Sequence, residues 1–127
     1  MENPTICLNM IVKDEADIII NTLSNIVEKI KIDYWVICDT GSTDNTIELI
    51  KNFFDEKNIE GELIEDPWKD FAYNRTRALE FAYKKTDFIF IFDADDRIVG
   101  NLVLPELKRG FAYHMQYGWG VSWKRLP

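Results

Sequence analysis

The feature that most narrows the folds open to this chain is Phe88-Ile89-Phe90-Ile91-Phe92 running straight into Asp93-Ala94-Asp95-Asp96. An unbroken run of aromatic and β-branched residues predicts a strand buried on both faces, of the kind that sits in the middle of a parallel sheet. A core has no use for the carboxylates that follow. In open α/β sheets, however, ligands bind in the crevice beyond the carboxyl ends of the strands. Asp93 and Asp95 alternate, so on an extended backbone they point to the same side. Two such carboxylates repel each other unless a cation lies between them. Oxygen ligands favour a hard ion, Mg²⁺, Mn²⁺ or Ca²⁺, and the expectation is a metal site that holds a phosphate-bearing ligand. The loop is no EF-hand, because the twelfth position is occupied by Leu104 instead of Glu.

The rest of the chain supplies the other layers of such a fold. Thr5 to Val12 reads as a first, nearly all-apolar strand. Ile19, Leu23, Ile26, Val27 and Ile30 then recur at helical spacing. Asp14 is placed to cap that helix, with Glu15 and Asp17 near the positive end of its dipole. Tyr34 to Cys38 is a second buried strand. The turn Asp39-Thr40-Gly41-Ser42-Thr43-Asp44-Asn45 leads from it into a helix with Ile47, Ile50 and Phe54 on one face, capped by Ser42 or Thr43. Glu60 to Glu65 is a weaker third strand, Pro67-Trp68 opens a loop, and Tyr73 to Lys85 is a third helix with Leu79, Ala82 and Tyr83 inward. Strands alternating with helices long enough for right-handed crossovers predict an α/β fold, with a mostly parallel open sheet and helices on both faces. Beyond Gly100 the pattern loosens. Leu102-Val103-Leu104 is a short apolar run stopped by Pro105, and Phe111 to Trp123 suggests a strand or hairpin.

Composition excludes several partners. A chain of 127 residues implies one domain. Its net charge of −7 argues against nucleic acid or an anionic membrane. An anionic ligand would then need a metal or a local group of Lys and Arg. The N-terminus has no signal-peptide pattern, and no apolar stretch reaches membrane-spanning length. Cys7 and Cys38 fall inside strands and match no metal or redox spacing, so two buried thiols in a reducing, cytoplasmic setting are expected. An unfinished sheet edge with exposed aromatics points to a homo-oligomer.

Acidic residues stand at the ends of three strands: Asp14 and Glu15, Asp39, and Asp93 with Asp95. In a parallel sheet these share one edge. For Asp14 and Asp44, capping is the stronger reading. Asp39 precedes its turn and stands outside the expected cap, which favours a functional role, such as accepting an N–H of a base or a ribose hydroxyl. Arg75 is a candidate to face the crevice and touch base or phosphate, whereas Arg77 reads equally as a surface charge. Gly41-Ser42-Thr43 lacks P-loop spacing. His114, the only histidine, has no catalytic partner in view, and Tyr117, Trp119 and Trp123 read as core more readily than as a sugar platform.

Ile-Val-Lys-Asp-Glu-Ala-Asp after the first strand, Asp-Thr-Gly-Ser-Thr-Asp-Asn-Thr after the second and Phe-Asp-Ala-Asp-Asp after the fourth together resemble the inverting glycosyltransferases of family two, with the A-type fold. The likeness covers residues 5 to about 100, in the family's order. It implies a nucleotide-diphosphate-sugar donor, a UDP-sugar in most members, and a Mn²⁺ or Mg²⁺ ion. It implies nucleotide contacts from Val12, Asp14 and Glu15, from Asp39 as reader of the base and Gly41 beside it, from Arg75 near base and diphosphate, and from Asp93 and Ala94. Asp95, with Asp93, would hold the metal. Asp96 stands where the family often has Glu, and Thr76 where many members have Asn. Residues 101–127 would begin an acceptor-side half that this chain leaves incomplete, so no residue is assigned as general base and the acceptor is open. Two other readings follow from the same residues. One is a nucleotide-sugar-binding module without turnover. The other is a haloacid-type phosphatase with Asp93 as nucleophile, although that motif usually opens its fold and in this chain three strands precede it.

Overall fold

The computed structural model describes residues 5–94 and two short strands further on. The elements run β1 (Ile6–Val12), α1 (Ile19–Lys29), β2 (Tyr34–Asp39), α2 (Thr46–Lys57), β3 (Gly61–Glu65), α3 (Phe71–Ala82), β4 (Phe88–Ile91), β5 (Tyr113–Met115) and β6 (Trp123–Arg125). β1 to β4 form a parallel sheet in the order β3-β2-β1-β4. β5 and β6 pair antiparallel, with His114 opposite Lys124, in the region where a strand or hairpin is expected. Asp95, Asp96, Leu102–Leu104, Tyr117 and Trp119 lie outside the described residues.

Strand alternation sorts the core into two layers. Ile6, Leu8, Met10 and Val12 of β1, Trp35 and Ile37 of β2, and Phe90 of β4 pack with Ile19, Leu23 and Ile26 of α1 and Ile50, Phe53 and Phe54 of α2. The odd-numbered side of β1 faces the other way: Cys7 packs with Val36 and with Ala82 of α3, and Phe81 and Ile89 close around them. Helices thus cover both faces, as the alternating pattern predicts. Trp35 anchors the first layer by stacking on Phe54, with ring centroids 4.5 Å apart, and by donating from Nε1 to the Ile59 carbonyl at 3.0 Å. α2 ends on Asn58 in the left-handed region (φ 56°), whose N–H returns to the last turn, a conformation Asn tolerates.

Three expectations change. Among the described residues the run Phe88–Phe92 is an edge of the sheet and not its middle, and Ile91 is 47% exposed. The inner strands are β1 and β2, each hydrogen-bonded on both sides and buried along nearly all its length. α3 begins earlier than the apolar spacing implies, because Asp70 caps it by accepting the Tyr73 N–H at 2.7 Å. It ends at Ala82, so Tyr83 lies past the helix with its ring exposed, and Leu79 is only half-buried. In α2, Ile47 is also half-buried, and Phe53 takes the inward place.

Gly61 starts β3 against Trp35, and a Cβ there would overlap the indole ring and the Trp35 carbonyl oxygen. The carbonyl cannot move without breaking the β2–β3 pairing. Gly61→Ala is expected to cost about 1–3 kcal/mol, read as a lower urea midpoint with an unchanged slope.

Candidate active site at the carboxyl edge of the sheet

The loops after β1 and β2 are locked together. Asp14, held at φ 51°, sends its backbone N–H to the Ser42 hydroxyl at 2.8 Å, and its Oδ1 accepts the Thr43 N–H at 2.7 Å and the Asp44 N–H at 3.4 Å. In return the Glu15 N–H donates to Thr46 Oγ1 at 2.9 Å and the Ala16 N–H to Asp44 Oδ2 at 3.3 Å. Asp14 therefore caps, as expected, but it caps the approach to α2. The residue before α1 is Ile18, with no side-chain cap, and no acid lies in that helix's first turn. Nor do Ser42 and Thr43 cap α2: its N-cap is Asn45, and the carboxylate that takes the Thr46 N–H, at 3.0 Å, belongs to Asp44. The Thr46 hydroxyl and the Thr46 and Ala16 N–H groups hold the Asp44 carboxyl below its usual 3.8, against a smaller opposing cost of burial.

Asp39 ends β2 and is 2% exposed. Its Oδ1 accepts the N–H groups of Gly41 at 2.9 Å and Ser42 at 2.8 Å, and its Oδ2 accepts the Ser42 hydroxyl. The expectation that Asp39 stands clear of local capping is corrected, since it binds its own turn in the way Asp commonly does. Counting lone pairs, Oδ2 keeps one acceptor position among the described residues. Gly41 adopts φ +132°, which only glycine enters readily, and open space surrounds the position of a Cβ. Val12, opposite Asp39 in the register, gives its carbonyl to both the N–H and the hydroxyl of Thr40. The loop after β3 joins the same edge: the Asp66 N–H donates to the Asp39 carbonyl and the Trp68 N–H to that of Thr40.

On the other side of β1, Arg75 reaches across from α3. Its Nη1 donates to Oδ1 of Asn9 at 2.9 Å, and its Nη2 lies 3.9 Å from Oδ1 of Asp93. The Arg75 side chain is 14% exposed and that of Asp93 63%. Burial pushes the Arg75 pKa down and Asp93 works against that; a guanidinium keeps its charge in either case. The Ala94 carbonyl accepts the Thr22 hydroxyl at 2.6 Å, tying the start of the acidic loop to α1. Arg77 is no free surface charge: Nε lies 3.7 Å from Asp66 Oδ1 and the guanidinium covers the Phe81 ring.

The Glycosyl transferase family 2 model matches residues 7–114. The chain belongs to glycosyl transferase family 2. The SPbeta prophage-derived glycosyltransferase SunS of Bacillus subtilis is 32% identical over 96 residues, which are 75% of this chain and 21% of that protein. The chain thus spans about a fifth of the length of the curated relatives it matches. Among solved structures, the mannosyltransferase PcManGT from Pyrobaculum calidifontis, in complex with GDP-Man and Mn²⁺, superposes with a TM-score of 0.66 at 22% identity. It covers 78% of this chain and 30% of its own. S. aureus TarS 1-349 in complex with UDP gives 0.59 at 18% identity, over 74% of this chain and 28% of its own. The fold is that of the A-type glycosyltransferases, and family membership sets the phosphatase reading aside.

In this family 2 chain, then, the carboxyl edge gathers Val12 and Asp39 at the ends of β1 and β2, Asp14, Glu15, Gly41, Asp93 and Ala94 on the loops that follow β1, β2 and β4, and Arg75 reaching in from α3. Asp93 is an exposed hard donor suited to a divalent ion. No group of three metal-binding side chains converges among the described residues. Sequence reasoning missed Asn9, Asp66 and Asn74, all buried. Asn74 donates to the carbonyls of Asp66 and Pro67 and accepts the Lys69 N–H, fixing the loop that enters α3. The available signal for Asn9 was a lone amide in an otherwise apolar strand. Among the described residues no helix is long and apolar enough to cross a membrane.

Asp14→Ala removes an acceptor and leaves a strained backbone, and is expected to cost about 1 kcal/mol or more in chemical denaturation. Asp14→Asn, which keeps the acceptor and tolerates positive φ, should lose less. Asp44 has a depressed pKa, so its contribution is complete above 3.8 and fades as pH falls through the folded-state value. Asp44→Asn should therefore be less stable than the parent at neutral pH. Denaturation midpoints measured down through that region should converge.

Proposed function

We propose that this chain is the donor-binding part of a metal-dependent, inverting glycosyltransferase that takes a nucleotide-diphosphate sugar, with UDP as the nucleotide. The observation that carries the reading is the meeting of Arg75 and Asp93 on one side of β1 while Asp39 closes the other side. That gives a cationic and an anionic group at one place and a buried acceptor at another, the polarity a nucleoside diphosphate needs. Asp39 takes a base N–H at the remaining position of Oδ2. The nucleoside lies along the Val12–Glu15 stretch and the open space over Gly41. Arg75 engages the diphosphate.

Asp93 and Asp95 would hold Mn²⁺ or Mg²⁺, which when bound supplies a positive charge that offsets the one developing on the leaving diphosphate. PcManGT, with GDP-Man and Mn²⁺, and TarS, with UDP, support a nucleotide-sugar donor and make the base a question to test. Inversion also calls for a general base within hydrogen-bond reach of the acceptor hydroxyl, and none of these donor-side residues takes that role.

Calorimetry with UDP, GDP and inorganic phosphate, each with and without Mn²⁺, tests the reading. UDP binding is expected to need the ion and to weaken at least about tenfold in Asp95→Ala. UDP binding of equal strength without metal would sink the metal role, and preference for GDP would reassign the base. Incubation with a UDP-sugar and Mn²⁺ tests turnover: binding of the UDP-sugar without formation of free sugar or a glycosylated product would favour a non-catalytic module.

A further inference from the structure

The strand at the centre of the sheet carries one polar side chain in its buried middle. Asn9 is fully buried between Leu8 and Met10. Its Nδ2 donates to the Val36 carbonyl of β2 at 3.1 Å and to the Ala78 carbonyl of α3 at 3.0 Å, and its Oδ1 accepts from Arg75. Those two carbonyls decide how the amide lies. Only the NH₂ group can satisfy them, so the oxygen is turned towards Arg75. The amide cannot rotate without leaving buried groups unpaired on two separate elements.

Asn9 is also neutral. A buried guanidinium is commonly paired with a carboxylate that cancels its charge. In this sheet the buried partner offers a hydrogen bond and no charge. The carboxylate nearby is that of Asp93, 3.9 Å away and mostly exposed, where water weakens the attraction. Among the described residues Arg75 is thus fixed along one edge while its charge stays largely uncompensated.

We propose that Asn9 is a positioning residue of the donor site: it aims the Arg75 guanidinium along one edge while leaving the positive charge available to the diphosphate of a nucleotide. The inference rests on the donor-binding reading above. An aspartate at this position would hold Arg75 and neutralise it, while leaving the Val36 and Ala78 carbonyls without their donor. A leucine would leave the charge and release the hold. Aiming and charge can therefore be separated by two substitutions.

The test uses the 127-residue chain with UDP, GDP and uridine as probes in the presence of Mn²⁺, and ¹⁵N NMR of the arginine side chains. Asn9→Leu is expected to weaken whichever nucleotide binds more tightly by about tenfold. It should do nothing further in an Arg75→Leu background, and the Arg75 Nη signals should average as rotation is freed. Asn9→Asp should keep the Arg75 signals of the parent, weaken the nucleotide by a similar factor and spare uridine. Equal losses from Asn9→Leu with and without Arg75 would mean a packing role only and overturn the proposal. Parent-like nucleotide affinity in Asn9→Asp would overturn it too. If the parent binds neither nucleotide, the donor-binding reading falls by itself. Unchanged Arg75 signals in Asn9→Leu would then overturn the positioning, and averaged signals would sustain it. Should Asn9→Leu fail to fold, Asn9→Ser, with a side chain too short to span to Arg75, takes its place; should Asn9→Asp fail to fold, the Asn9→Leu comparison with and without Arg75 and the Arg75 signals decide the proposal by themselves.

Discussion

Parallel pairing of β1 with a neighbour on each side is the constraint from which the rest follows. Because β2 and β4 both run in the direction of β1, all their carboxyl ends reach the same edge. Each return to the start of the sheet must be made by a crossover, and helices fill that role on both faces. Asp39 and Asp93, distant in the chain, thereby end on either side of Val12. No local preference of either residue would bring them there.

What could be read beforehand was the periodicity. Ile19, Leu23 and Ile26 announce one helix face, and the apolar runs around Leu8 and Ile37 announce buried strands, because burial demands those patterns whatever the neighbours are. What could not be read was the identity of partners. Asp14 carries the mark of a capping residue, and it caps. The N–H groups that it accepts belong to Thr43 and Asp44, on a loop that only the folded sheet brings near. Phe88–Phe92 is apolar enough for a central strand, yet hydrophobicity does not say how many strands lie beyond it, and Ile91 is exposed. Asp39 seemed free of its turn because the cap was expected at Ser42 or Thr43. With the helix starting after Asn45, the Gly41 and Ser42 N–H groups point back to Asp39 instead.

The weak amphipathicity of α3 has a similar cause. Its inward residues are Asn74, Ala78 and Ala82, so a search for large apolar groups finds little. Small side chains let the helix lie close to β1 and β2, and the amide of Asn74 joins the helix to the loop before it. Arg75 follows at the next position, and its Nη1 meets Asn9, a polar residue that looks out of place in a core.

Cys7 and Cys38 give the sheet a further property. Both are fully buried, and burial pushes their thiols up to about 12 and about 11. Thiolate is the reactive form, so neither sulfur is available to an alkylating reagent while the strands stay paired. One lies in the central strand and the other beside the last residue of β2, so the chain carries two internal clocks, and the rate at which each is modified counts how often its part of the sheet opens to water.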